Sequence, residues 1–269
     1  MIRSFQIIER PDTTSREIGE KFKKRLLEEG IQLNNSPDLV VSIGGDGTML
    51  KGFKEFYTES TSFVGLHTGT LGFYADWQAD EADLLLEKIM NEDPILDRCP
   101  LIKGEFELES GERKSFLALN EIVIKSKSIS TMVLEVEINN DHFESFKGDG
   151  IIISTPSGST AYNHSLWGSI IHPTIEAMQV TEIASINNSV YRTLNRPLIL
   201  PKEQPLTLHI PKTNKEILLG IDGTEYNLGI IKRIGIKVAE EKISFARYRP
   251  FPFWKRVKEK FLIETDIHK

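Results

Sequence analysis

The stretch "VVSIGGDGTMLKG" (40–52) sets one carboxylate, Asp46, among three glycines, directly after a run of strand-forming apolar residues. A turn of this kind, opening onto a helix, offers backbone amides and the positive end of a helix dipole to an anion, and its glycines let a phosphate approach closely. The spacing is neither the dinucleotide G-x-G-x-x-G nor the Walker G-x-x-x-x-G-K-[ST], which indicates a different phosphate device. Two roles are open to Asp46. It can cap a helix beginning at Gly47, or accept the proton of a ligand hydroxyl that attacks a phosphorus. The roles are compatible, because loose phosphoryl transfer is catalysed mostly by positioning and charge compensation, and a bound magnesium could use the same carboxylate.

Two further polar stretches interrupt apolar surroundings. In "SFLALNEIVIKS" (115–126) the neighbours Asn120 and Glu121 would point to opposite faces of a regular strand. Either the strand ends or bulges there so that both address one ligand, or it is an edge strand whose polar residues meet solvent. "FKGDGIIISTPSGSTAYNHS" (146–165) repeats the Gly-Asp-Gly idea and adds hydroxyl groups and a tyrosine, suited to ribose, phosphate and stacking; the plain alternative is a Ser/Gly loop. A third Asp-Gly occurs at Asp222-Gly223. The six histidines show no metal-ligand spacing, so no transition-metal site is expected, and structural hydrogen bonds are the expected roles of His67 and His164.

The elements that must position these residues change character along the chain. "SFQIIE" (4–9), "DLVVSI" (38–43) and "SFVGL" (62–66) read as strands, separated by a helix ending at Gly30 and a helix over 48–57, and followed by a helix over 80–90. Thr14 and Glu17 have capping-box spacing for the first helix. Strand alternating with helix predicts a parallel sheet covered by helices. From about residue 98 the period becomes two, with turns at Ser110-Gly111 and Asn139-Asn140 and later strands at 205–210, 216–222, 230–238 and 242–248. The expected organisation is an α/β domain at 1–97, a β-rich domain at 98–246 and a C-terminal segment at 247–269. The tail places Trp254, Val257, Phe261 and Leu262 on one face of a basic helix, for docking onto a domain rather than a membrane surface.

A formal charge of −6 argues against a nucleic-acid grip, which needs a domain-scale basic surface. One cysteine, no signal-peptide pattern and no long uncharged apolar run lead to the expectation of a reduced, cytoplasmic protein with no membrane association.

"GGDGT" (44–48) is shared in form with a superfamily that includes phosphofructokinases and diacylglycerol or sphingosine kinases, and alone implies phosphoryl transfer. Together with "HTGTLGF" (67–73), "LNE" (119–121) and "GDGIIISTPSGSTAYNHS" (148–165), in this order and spacing, it resembles the NAD kinases. "FARYRPFPFW" (245–254) is similar to the Gram-positive bacterial branch. The resemblance implies a Rossmann-like α/β domain, a β-rich domain and a C-terminal segment returning to the first. It implies phosphorylation of the adenosine 2′-hydroxyl of NAD to give NADP, with ATP or polyphosphate as donor and magnesium as the accompanying ion. A lipid or sugar kinase of the same superfamily and a non-catalytic NADP-sensing module are the competing functions.

By the same resemblance Asp46 is the proton acceptor, Gly47 lies against the ligand and Phe73 lies by the adenine. Asn120 and Glu121 hold the nicotinamide-side ribose or its neighbours, and Lys147 could meet phosphate. Asp149, Ser157, Thr160, Ala161, Tyr162, Asn163, His164 and Ser165 complete the dinucleotide site, with Tyr162 stacking, and Ala184 lines it. A homodimer or homotetramer is implied. "ASINN" (184–188) and Asp222-Gly223-Thr224 depart from the Ala-Pro-His and Asp-Gly-Gln of many relatives.

Overall fold

The computed structural model describes residues 2–69, 72–212 and 217–262. Residues 1–98 with 243–269 form one compact unit and 99–242 another.

The first unit is built on β1 (Ser4–Glu9), α1 (Thr13–Glu28), β2 (Gln32–Leu33), β3 (Leu39–Ile43), α2 (Asp46–Phe56), β4 (Ser62–His67), β5 (Trp77–Gln78) and α3 (Ala82–Asn91). The strands pair in parallel in the order β2-β1-β3-β4, with β5 continuing beside the end of β4. All five residues of β3 are buried, as a strand covered on both faces requires. Phe22 and Leu26 recur at helical spacing on α1 and are fully buried against the sheet with Phe5, Leu39 and Leu85. Each such side chain contributes roughly 1.5–3 kcal/mol on burial. Helix α1 is capped by Asp12, which accepts the Ser15 amide at 3.0 Å, so the capping box expected at Thr14 and Glu17 is not used.

The second unit holds most of β6 (Ile95–Leu108), β7 (Arg113–Ala118), β8 (Glu121–Ser126), β9 (Met132–Ile138), β10 (Asp141–Gly148), β11 (Gly150–Ser154), the single turn α4 (Tyr162–Ser165), β12 (Ala177–Ile183), β13 (Leu198–Pro201), β14 (Leu206–His209), β15 (Ile217–Ile221), β16 (Thr224–Tyr226) and most of β17 (Ile231–Arg247). One antiparallel sheet runs β13-β12-β11-β8-β15-β16. The other contains β10-β9-β14-β17 with the β6–β7 hairpin beside β17. Phe106, Phe146, Ile124, Ile153, Met178 and Leu206 lie in their shared core. Asn139 and Asn140 both take positive φ, 53° and 67°, which the β9–β10 hairpin turn demands.

Two expectations change here. The strands expected at 230–238 and 242–248 are one continuous β17, because Ala239, Glu240 and Glu241 between them include no glycine or proline to break the ladder. The polar loop expected at 148–165 begins as strand: β11 is fully buried, and the loop character begins after Ser154.

The chain re-enters the first unit along β17, whose Ser244 and Phe245 pair in parallel with Ser62 and Phe63 of β4. It ends in α5 (Phe253–Phe261), whose buried residues are Phe253 and Arg256. Of the face expected from Trp254, Val257, Phe261 and Leu262, Phe261 stacks on Phe73 and Val257 is half-buried, whereas Trp254 and Leu262 are exposed, at 59% and 76%. The face that docks is chosen by the buried carboxylate of Asp76, which draws Arg256 inward.

Candidate active site

Asp46 sits where β3 gives way to α2. Gly44 has φ +153°, and a Cβ there would lie 2.3 Å from Thr48 Oγ1, so the chain can turn tightly only with glycine. Gly45 occupies the N-cap position and Asp46 is the first helical residue, so the expected capping of a helix from Gly47 does not occur. The half-buried carboxylate instead accepts the Phe73 amide at 3.0 Å on both oxygens and the Tyr74 amide at 3.1 Å on Oδ1. Gly72 lies against it without room for a side chain.

The C-terminal segment grips the far side of that same turn. Arg256 donates Nη1 to the carbonyls of Gly72 (3.1 Å) and Ala75, and its Nη2 meets Asp76 Oδ1 at 3.3 Å. Arg247 Nη1 reaches the other Asp76 oxygen at 2.6 Å. Arg249 forks onto both Glu81 oxygens at 2.7 Å, which holds that carboxyl down at about 2. Burial pushes Arg256 below its usual value while Asp76 and Asp46 pull it up. The Phe73 ring stacks on Phe261 at 5.6 Å and lies 6.3 Å from Phe253.

In the second unit a separate constellation forms around Asp222. β7 ends at Ala118 and β8 begins at Glu121, so the strand breaks at Leu119-Asn120. β8 is central in its sheet, between β11 and β15, and Asn120 and Glu121 are both buried, which corrects the solvent-facing edge alternative. Asp222, at φ +47°, accepts the amides of Leu119 (2.8 Å), Asn120 (2.7 Å) and Glu121 (3.1 Å). Burial nevertheless lifts Asp222 to about 6, and burial together with the Asp222 charge lifts Glu121 to about 8. Glu121 Oε2 and Ser157 Oγ are buried without a hydrogen-bond partner.

The Ser157 loop is fused to this break. Thr155 Oγ1 donates to the Leu119 carbonyl at 2.6 Å and accepts the Gly158 amide at 2.9 Å, while the Thr155 amide donates to the Asn120 carbonyl at 2.8 Å. A Cβ on Gly158 would lie 2.1 Å from that carbonyl oxygen. Alongside, the Lys147 ammonium stands 4.7 Å over the Tyr191 ring, and its carbonyl accepts the Ile186 amide at 2.7 Å, tying the loop after Ala184 to β10. Glu144 and Glu182 accept the Leu194 and Asn195 amides at 2.9 and 3.1 Å at the other end of that loop.

Residues 7–94 match the ATP-NAD kinase N-terminal domain and residues 119–248 the ATP-NAD kinase C-terminal domain. The chain belongs to the NAD kinase family. It is 45% identical to NAD kinase 1 of Halalkalibacterium halodurans over 96% of this chain and 98% of that one. It is 44% identical to NAD kinase 1 of Oceanobacillus iheyensis over 97% and 99%. Among solved structures, yeast NADH kinase complexed with NADH is similar with a TM-score of 0.83 at 22% identity, covering 100% of this chain and 90% of that one. An NAD kinase from Archaeoglobus fulgidus in complex with ATP gives 0.73 at 21%, covering 96% and 97%.

NAD kinase is a phosphotransferase, and the residues picked out for it fall into three places. Asp46, Gly47 and Phe73 gather at the start of α2 in the first unit. Asn120, Glu121 and Ser157 gather at the strand break, and Thr160 bonds the Ser157 carbonyl at 3.2 Å. Ala161 continues this loop, the exposed Tyr162 and Ser165 and the half-buried His164 lie on α4, and Lys147, the exposed Asp149 and Ala184 sit near the end of β10. Asn163 departs from the group: its side chain is fully buried, with Oδ1 accepting Thr181 Oγ1 at 2.7 Å. His67 makes the structural contact expected of it, Nδ1 to the Gly69 carbonyl at 3.1 Å.

Sequence reasoning missed Asp222, Gly72 and Arg256 as site-building residues. The repeated Asp-Gly pair was the available signal for Asp222. Nothing local marks Arg256, whose partners Gly72, Ala75 and Asp76 lie 184, 181 and 180 positions earlier. Among the described residues no group of three or more His, Cys, Asp or Glu could hold a metal ion, and no helix is long and apolar enough to cross a membrane.

Proposed function

We propose that this NAD kinase moves the γ-phosphoryl group of ATP to the 2′-hydroxyl of the adenosine ribose of NAD, with Asp46 accepting the hydroxyl proton. A bond forms between the ribose oxygen and phosphorus, the bond from phosphorus to the ADP oxygen breaks, and the products are NADP and ADP. The observation that carries the reading is the carboxylate of Asp46, held by the Phe73 and Tyr74 amides at the mouth of a glycine turn. Those amides fix its direction, so little reorganisation is needed when the hydroxyl arrives.

Phe73 offers a ring beside the adenine. Asn120 and Glu121 serve the nicotinamide-side ribose, with Glu121, raised to about 8, able to donate as well as accept near neutral pH. Lys147 supplies positive charge for phosphate, while Asp149, Ser157, Thr160, Ala161, Tyr162, His164, Ser165 and Ala184 line the remainder. Asn163 supports the α4 turn from within rather than touching the dinucleotide. Magnesium fits as an ion carried chiefly by the ATP phosphates, since such ions take only one or two protein carboxylates. Asp46 is the carboxylate that would meet it, and the ion would neutralise charge on the transferred group. The enzyme acts as a homodimer or homotetramer in the cytoplasm.

NADP formation from NAD, measured separately with ATP and with polyphosphate, tests the reading. Asp46→Asn is expected to bind NAD within about threefold of the parent while kcat falls by about 10²–10⁴, the range of a general base. Full activity in that variant would remove Asp46 from the chemistry.

A further inference from the structure

Within the first unit, one rigid peptide stands between Arg256 and Asp46. The carbonyl of Gly72 accepts Arg256 Nη1 at 3.1 Å, and the amide of the same Gly72–Phe73 peptide donates to both Asp46 oxygens at 3.0 Å. A trans peptide is planar with its C=O and N–H directed oppositely, so a donor that fixes the carbonyl also aims the N–H. Arg256 holds the turn at a second point, the Ala75 carbonyl, just beyond the Tyr74 amide that also bonds Asp46.

We propose that Arg256 is a positioning residue for phosphoryl transfer: by fixing the 72–76 turn from behind, its guanidinium sets the orientation of the Asp46 carboxylate. This inference rests on the reading of Asp46 as proton acceptor.

Three observations separate this role from simple docking of the C-terminal helix. Asp76 already has a close partner in Arg247 at 2.6 Å, whereas its contact with Arg256 is longer, 3.3 Å, so neutralising Asp76 does not require a second arginine. Arg256 spends its Nη1 donor on backbone carbonyls of the turn that holds Asp46, which an apolar docking residue could not reach. The negative charge of Asp46 itself favours the charged form of Arg256, so the two groups interact across the peptide as well as through it. The segment carrying Arg256 also packs Phe253 and Phe261 around the Phe73 ring, which steadies the same turn laterally.

The test uses the full chain with Arg256→Met, Arg256→Lys, Lys255→Ala and Asp46→Asn, reading kcat, KM for NAD, NAD affinity and thermal midpoint. Lys255 is an exposed neighbour on α5, and its variant is expected to match the parent. Arg256→Met is expected to remain folded at the assay temperature and to lose about 10- to 100-fold in kcat with KM for NAD within about threefold, the signature of a misplaced group rather than lost binding. Arg256→Lys keeps the charge but cannot span Gly72, Ala75 and Asp76 together, so its kcat falls less, by about 3- to 10-fold. A kcat within about twofold of the parent in Arg256→Met, or a raised KM at unchanged kcat, overturns the inference. If Arg256→Met does not fold, Arg256→Lys decides, and parental kcat there overturns it. Activity retained in Asp46→Asn sinks the base assignment itself; activity lost there but kept in Arg256→Met sinks only the positioning role.

Discussion

A Cβ on Gly72 would stand 2.2 Å from Asp46 Oδ1 and 2.6 Å from its Cγ. The constraint is one of room beside the carboxylate. Gly72→Ala must therefore push the carboxylate away from the Phe73 and Tyr74 amides or move the turn. Displacement of a reacting group by about an ångström costs on the order of 10²-fold in rate. We expect kcat to fall by about that factor while NAD affinity and thermal midpoint change little. Steady-state kinetics beside a melting curve checks this; parental kcat would show that the carboxylate has freedom the structure does not suggest.

Asp76 is the anchor of the C-terminal segment. Its two oxygens face Arg247 at 2.6 Å and Arg256 at 3.3 Å, with all three side chains buried. Removing one member of a buried ion set leaves charge without compensation, which costs about 3–5 kcal/mol. Asp76→Asn should destabilise the first unit by that amount in denaturant titration at neutral pH. A loss under about 1 kcal/mol would mean that water reaches the arginines readily.

The parts of this site that were legible in the sequence are those with local causes. Period-3.6 and period-2 patterns located most elements, and Asp46 stood out as a lone carboxylate in a glycine turn, where capping and proton acceptance were both open. Its partners were not legible: the amides that hold it belong to residues 27 and 28 positions later, brought there by the β4 crossover. The N-cap reading failed for the same reason, since distant amides compete with local ones for a carboxylate. For α5, amphipathicity pointed at Trp254, Val257, Phe261 and Leu262; Phe261 does pack on Phe73, but the inward place of Arg256, set by the distant buried Asp76, was not legible. Asn120 and Glu121 were legible as an interruption that left a strand break and a solvent-facing edge both open, whereas Asp222, which decides for the break, lies about a hundred residues away.

Glu121 and Asp222 give the second unit a defined pH dependence. Both carboxyls are raised on folding, from 4.5 to about 8 and from 3.8 to about 6. The folded state therefore holds protons that the unfolded chain has released, so their stabilising effect is full below the unfolded values and is lost as pH rises through about 6 and then about 8. Unfolding free energy should decline across this window. Glu121→Gln removes the upper step, flattening the decline between about pH 6 and 8. A variant whose profile matches the parent between those limits would show that Glu121 is already ionised when folded.

The loop that carries Tyr191 has a similar clasp. Glu144 Oε2 accepts the Leu194 amide and Glu182 Oε1 the Asn195 amide, and the buried Glu182 Oε2 has no donor unless Glu144 supplies its proton. Burial, with a further push from Glu182, lifts Glu144 to about 7. Because the raised carboxyl favours the folded state only while protonated, the clasp weakens as pH rises through about 7. Hydrogen exchange at Leu194 and Asn195, corrected for intrinsic rates, should show protection falling across that pH. Glu144→Gln supplies permanent amide hydrogens in place of the shared proton, so protection there should no longer step near pH 7, and a step that persists would place the titrating group elsewhere.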